Sequence, residues 1–151
     1  MKLLTAGNTK TVKGEVLGYQ TWILHLAPAK LSGYNACAMA SVGCAAACLN
    51  SSGRGRFTRT QEARVRKTKL FYEDRLVFMA QLAWDIRAAV RRSYRLGLVP
   101  VFRLNGTSDI AWENVRPEMW DGKNIFEVFY DLQFYDYTKI PKRMGMGIRN
   151  Y

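Results

Sequence analysis

The chain has 151 residues, 48% of them hydrophobic, which predicts one domain with its own core and excludes global disorder. Its 23 Lys and Arg against 12 Asp and Glu give a net charge of +11, which favours polyanionic partners such as nucleic acid or nucleotides and leaves the fold open. No apolar stretch is long enough to span a bilayer, and Met1–Thr5 turns polar over Gly7–Lys10 without the apolar run of a signal peptide. A cytoplasmic chain with reduced thiols and no membrane partner is therefore expected.

In chain order, Thr21–Ala27 is β-branched and aromatic at its start and stopped by Pro28, which predicts a strand over 21–27. Residues 29–57 are rich in Ala, Gly, Ser and Cys and end in Gly53-Arg54-Gly55-Arg56, a loop longer than connection alone requires. Thr58 and Gln61 have the spacing of a capping box. The helical region 59–96 follows, as one helix or as two with a break near Glu73-Asp74. Leu76, Met79, Leu82, Ala83, Ile86 and Val90 form its apolar stripe, and Gly97 stops it.

Leu98–Leu104 predicts a second strand, and Asn105–Asp109 a turn. A short helical piece is expected near Ala111–Val115, and a second one, capped by Asn124, through Tyr130. Leu132–Tyr137 predicts a third strand, and Thr138–Tyr151 is a basic tail with little pattern. The alternation points to an α/β fold: a parallel-sheet βα fragment resembling part of a (βα) barrel, with 59–96 as a long helical crossover.

In such sheets ligands gather beyond the carboxyl ends of the strands. The segments leaving those ends are the cysteine loop, the Asn105–Asp109 turn and Asp136–Lys139. Cys37, Cys44 and Cys48 form C-x6-C-x3-C, and an odd number of cysteines cannot close a disulfide framework. Three thiolates from one loop suit an iron–sulfur cluster or zinc; the bland alternative is three small buried residues. His25, the only histidine, can complete a Cys3His zinc site or serve as a core residue. Asn105, Asp109, Asp136 and Lys139 are the candidate cofactor-binding residues on the same rim, with turn chemistry and helix capping as the competing roles for Asn105 and Asp109. Arg103 shares a strand face with Val101 and needs a partner or ligand if buried. Residues 54–95 hold twelve Lys and Arg against four acids, a solvated face or a nucleic-acid footprint.

Several segments resemble a family of phage and prophage proteins of the gene product eighty-eight type. They are Leu4–Glu15, His25–Pro28, Leu31–Gly33, Cys37, Gly43–Asn50, Gly53–Arg56, Arg103–Ile110 and Phe134–Lys139. The resemblance covers nearly the whole chain and brings no established activity; it implies the cytoplasm of a host cell. Members usually run on past Asn150-Tyr151 with further strands, so a truncated or naturally short member with part of a barrel is expected. The layout is also similar to that of radical S-adenosylmethionine enzymes, although their usual spacing is C-x3-C-x2-C. That similarity implies a [4Fe–4S] cluster on Cys37, Cys44 and Cys48. It also implies S-adenosylmethionine against Asn105, Asp109 and the Asp136–Lys139 segment. The competing expectation is a non-catalytic basic module that binds nucleic acid, with structural or zinc-binding cysteines.

Overall fold

The computed structural model describes residues 1–7, 11–145, 147–148 and 150–151. Asn8–Lys10 of the polar N-terminal run and Met146 and Arg149 of the basic tail lie outside the described residues. The strands are β1 (Leu4–Ala6), β2 (Tyr19–Leu24), β3 (Val99–Arg103) and β4 (Gln133–Phe134). The helices are α1 (Val42–Ala46), α2 (Thr58–Glu73), α3 (Arg75–Arg95) and α4 (Ile125–Val128), joined by short 3-10 turns. The strands form one open sheet in the order β1-β2-β3-β4.

The expected parallel core is present. β2 pairs parallel with β3 from Tyr19↔Val99 to Ile23↔Arg103, and β3 pairs parallel with β4 through Val101↔Gln133 and Phe102↔Phe134. The first strand lies two to three residues earlier than 21–27, and the last is shorter than 132–137, although Tyr135 N–H still donates to the Phe102 carbonyl. β1 has no signature in the sequence, because three residues carry no periodicity. It pairs antiparallel with β2, Leu4 opposite Leu24. Among the described residues the four strands form one open, mostly parallel sheet.

The helical region is two helices. Asp74 ends α2, its N–H donating to the Leu70 carbonyl, and caps α3, its carboxylate accepting from Val77 N–H at 3.1 Å. An Asp at that position satisfies an orphan donor and resets the helix direction. The Thr58–Gln61 capping box does not form. Phe57 precedes α2 without a side-chain cap, and Gln61 instead donates to the carbonyls of Asn50 and Gly55. The expected stretch near Ala111–Val115 is a 3-10 turn over Trp112–Asn114. Asn124 caps α4 with Glu127 in a reciprocal capping box, and α4 ends at Val128 rather than at Tyr130.

α3 buries Phe78, Met79, Leu82, Ala83, Ile86 and Ala89 against the sheet, the three-and-four spacing of an amphipathic helix. Val90 is only half-buried and Leu76 is exposed, so the stripe is narrower than its sequence pattern. Trp22 Nε1 donates to Ser93 Oγ at 2.9 Å, which in turn donates to Gln20, so this buried polar point of the interface is satisfied. α2 docks through polar groups. Lys67 Nζ donates to the Leu3 carbonyl at 2.6 Å, and Thr68 Oγ1 accepts from Ala27 N–H at 2.8 Å just past β2. Phe71, Phe78 and Trp112 pack edge-on and stacked between the two helices and the loop after β3.

Candidate functional site at the carboxyl rim

β2, β3 and β4 are parallel, so the loops leaving Leu24, Arg103 and Phe134 emerge on one side of the sheet. They enclose a cavity of about 430 Å³. Cys37, Cys44 and Cys48 all line it, together with Arg103, Asn105–Asp109, Tyr137 and Lys139. The rim residues singled out by position, except Asp136, therefore meet around one space.

The segment after β2, including the cysteine loop, is tied to the loop after β3 by a backbone and a side-chain hydrogen bond. Asp109 N–H donates to the Ala36 carbonyl at 2.8 Å, and Thr107 Oγ1 donates to the Leu26 carbonyl at 2.6 Å. Cys37 Sγ lies 3.8 Å from the Thr107 carbonyl. Cys44 sits in the first turn of α1, where Ser41 Oγ accepts its N–H. Cys48 Sγ accepts from Asn50 N–H at 3.5 Å, and Asn50 is anchored by Gln61 and the buried Arg64 of α2. All three are free thiols of intermediate burial, and none is a core residue. Among the described residues no group of three or more His, Cys, Asp or Glu is arranged at metal-binding geometry, so the thiols share a cavity without forming a closed ligand set. Burial pushes the Cys37 thiol above its ordinary value, so binding a metal there releases a proton.

The polar residues divide by what holds them. Asp136 lies beneath the rim with its side chain 1% exposed; its two carboxylate oxygens accept Asn105 N–H at 2.9 and 3.1 Å. Asp109 accepts from Thr138 Oγ1 and Lys139 N–H, both at 2.8 Å, and pairs with Arg143 at 2.9 Å. Asn105 spends its side chain on Ser108, Ile110 and Trp112. Arg103 differs. Its Nε lies 3.5 Å from Asp136 Oδ1, too poorly aligned for a hydrogen bond, and this buried atom has no hydrogen-bond partner among the described residues. The guanidinium sits over Tyr137, 4.7 Å from the ring centroid. With Lys139 it gives the cavity a cationic side.

His25 does not line the cavity. It lies under Gly106, where an added Cβ would meet its Nδ1 at 2.6 Å and Ile23 at the same distance, so a glycine is required there for packing. Arg143 and Glu113, which hold Asp109 in place, were not among the sequence candidates, because Arg143 lies in the patternless tail.

Burial, assisted by Arg64, Lys67 and Arg103, lowers His25 to about 4; burial raises the Asp136 carboxyl to about 7 against the pull of Arg103 and Asn105 N–H. Their effects on stability oppose each other. Between pH 6.5 and 4 the unfolded chain takes up a proton at His25 that the folded chain refuses, so stability falls as pH falls. Between 3.8 and about 7 the folded chain keeps a proton on Asp136 that the unfolded chain has lost, so stability falls as pH rises. The wild type should vary little from these two groups over that range. Asp136→Asn removes the second effect, and its stability should climb by about 3 kcal/mol more than the wild type's from pH 4 to 6.5. Urea denaturation at several pH values tests this; parallel curves for the two proteins would refute it.

The fold and the cavity define a class: an open, mostly parallel α/β sheet with a cysteine-bearing loop over the carboxyl ends of its strands. The family model described as Gene product 88 matches residues 2–151, and the chain belongs to that family. No curated protein and no solved structure matches the chain. Among the described residues no helix is long and apolar enough to cross a membrane.

Proposed function

We propose that Cys37, Cys44 and Cys48 hold a [4Fe–4S] cluster and that the adjoining cavity takes S-adenosylmethionine, as in radical enzymes. The observation that carries this reading is the convergence of all three thiols on one ligand-sized cavity at the carboxyl rim of a parallel sheet. The donor set suits the group: three thiolates leave one iron for a small molecule. The exposed α1 turn lets the sulfurs close on it, since metal binding and local folding are coupled. When bound, the cluster supplies an electron to its co-substrate. The chain's own part is to bind and orient. Arg103 and Lys139 offer cations to a carboxylate, Tyr137 offers a ring face, and Asp136 and Asp109 hold the two loops in register.

Anaerobic reconstitution with iron and sulfide tests the cluster. Expected is iron and sulfide in the ratio of a four-iron centre, with a broad visible absorption that Cys37→Ala, Cys44→Ala, Cys48→Ala together abolish while the circular dichroism is kept. Lys139→Ala should weaken S-adenosylmethionine binding and leave the iron content unchanged. Retention of zinc alone, or of iron by the triple variant, overturns the cluster; a loaded wild type that binds no S-adenosylmethionine overturns the radical reading.

A further inference from the structure

A different face of the molecule carries an independent feature. On α3, Trp84, Ala88, Arg91 and Arg95 recur at steps of four, three and four residues and so lie along one line of the helix surface. The line spans about 16 Å at the helical rise. Trp84 is 65% exposed, an unusual state for an indole, and Arg91, Arg92 and Arg95 are exposed beside it. Trp84, Arg92 and Arg95 line a groove of about 450 Å³ with Lys2, which the N-terminal segment brings alongside.

α3 itself carries no exposed acid beside these cations, although the exposed Asp131 lines a neighbouring groove with Arg91. The only internal acid of α3, Asp85, also lines the groove with Trp84, but it is buried and engaged by Leu3 N–H, Leu4 N–H and Gln81 Nε2. None of Lys2, Arg91, Arg92 or Arg95 forms an ion pair among the described residues. An open indole flanked by cations without acid partners matches a chain that alternates phosphates with flat apolar rings. We infer that this face of α3 binds single-stranded nucleic acid, with an unpaired base stacked on Trp84 and the backbone on Lys2, Arg91, Arg92 and Arg95. A duplex fits less well, because its base faces are already stacked on one another. A second copy of this chain would bring the same positive charge to the face.

The test is fluorescence anisotropy of a labelled short oligothymidylate, with an oligouridylate and a duplex of equal length as further arms. Affinity for the single strand should fall about fiftyfold between about 50 and about 200 mM salt, a log–log slope near −3 for four phosphate contacts. Trp84→Ala should weaken binding about tenfold. Arg92→Gln with Arg95→Gln should halve the salt slope, and Arg59→Gln on the exposed start of α2 should change neither. Preference between the DNA and RNA arms tells which strand is the natural one. Equal or tighter binding of the duplex, insensitivity to Trp84→Ala with melting unchanged, or loss of a self-associated dimer in that variant without any oligonucleotide binding would each overturn the inference. The result is separable from that of the cluster, because none of these variants touches the cysteine cavity.

Discussion

Replacing Arg143 by methionine is expected to destabilise the protein by about 3–5 kcal/mol, the cost of leaving buried carboxylates without their cation. Its side chain is 4% exposed and reaches three elements at once. Nε and Nη2 make a forked pair with Glu113, at 2.7 and 3.0 Å, and Nη1 reaches Asp109 at 2.9 Å. Nη2 also donates to Tyr151 Oη at 2.9 Å. Glu113 and Asp109 are 5% and 9% exposed, so water cannot take over the lost bonds. Methionine fills much the same volume, which isolates the charge from the packing. Adding Glu113→Gln to Arg143→Met should recover part of the loss, because a neutral amide is cheaper to bury than a bare carboxylate. Chemical denaturation of the four proteins of this cycle measures both effects; a single-variant cost near zero would show that the buried network contributes no net stability.

That network marks the limit of what residue patterns convey. The three parallel strands were legible because each is a short β-branched or aromatic run separated by helical spacing, and chain connectivity then requires a crossover. The convergence of Cys37, Cys44, Cys48, Asn105, Asp109 and Lys139 on one cavity follows from that topology alone, since parallel strands send their outgoing loops to one rim. Local polar pairings were not legible. Thr58 and Gln61 have capping-box spacing, yet Gln61 is drawn to Asn50 and Gly55 because the cysteine loop folds back onto α2. Asp136 stands at a strand end like a ligand contact, but the same position lets its carboxylate accept the Asn105 N–H of the neighbouring loop. Arg143 and Asp109 are 34 residues apart, and no periodicity connects them.

The second large effect is expected at Asn105. Its Oδ1 accepts from Ser108 Oγ at 3.0 Å, Ile110 N–H at 2.9 Å and Trp112 Nε1 at 3.1 Å, while Nδ2 donates to the Ile110 carbonyl at 3.0 Å. The residue is 2% exposed and Trp112 is fully buried. Asn105→Ala therefore strands the indole N–H and the Ile110 N–H, each costing about 1–3 kcal/mol, for a total of about 3–5 kcal/mol. The consequence extends beyond stability. Trp112 packs on Phe71 of α2 and Phe78 of α3, with ring centroids 5.2 and 6.3 Å away. Asn105 is thus the link through which the floor of the cysteine cavity is fixed to the aromatic core. Its loss should loosen the 105–110 loop ahead of the sheet, because Asp136 still holds the Asn105 N–H while the rest of the turn has lost its internal acceptor. Hydrogen exchange should show the Ile110 amide exchanging far faster in Asn105→Ala, with the Phe102 and Phe134 amides of the strands slowed only by the remaining global stability. A variant that loses less than about 1 kcal/mol and keeps Ile110 protected would mean that the turn is held by its backbone contacts to Leu24 and Ala36 instead.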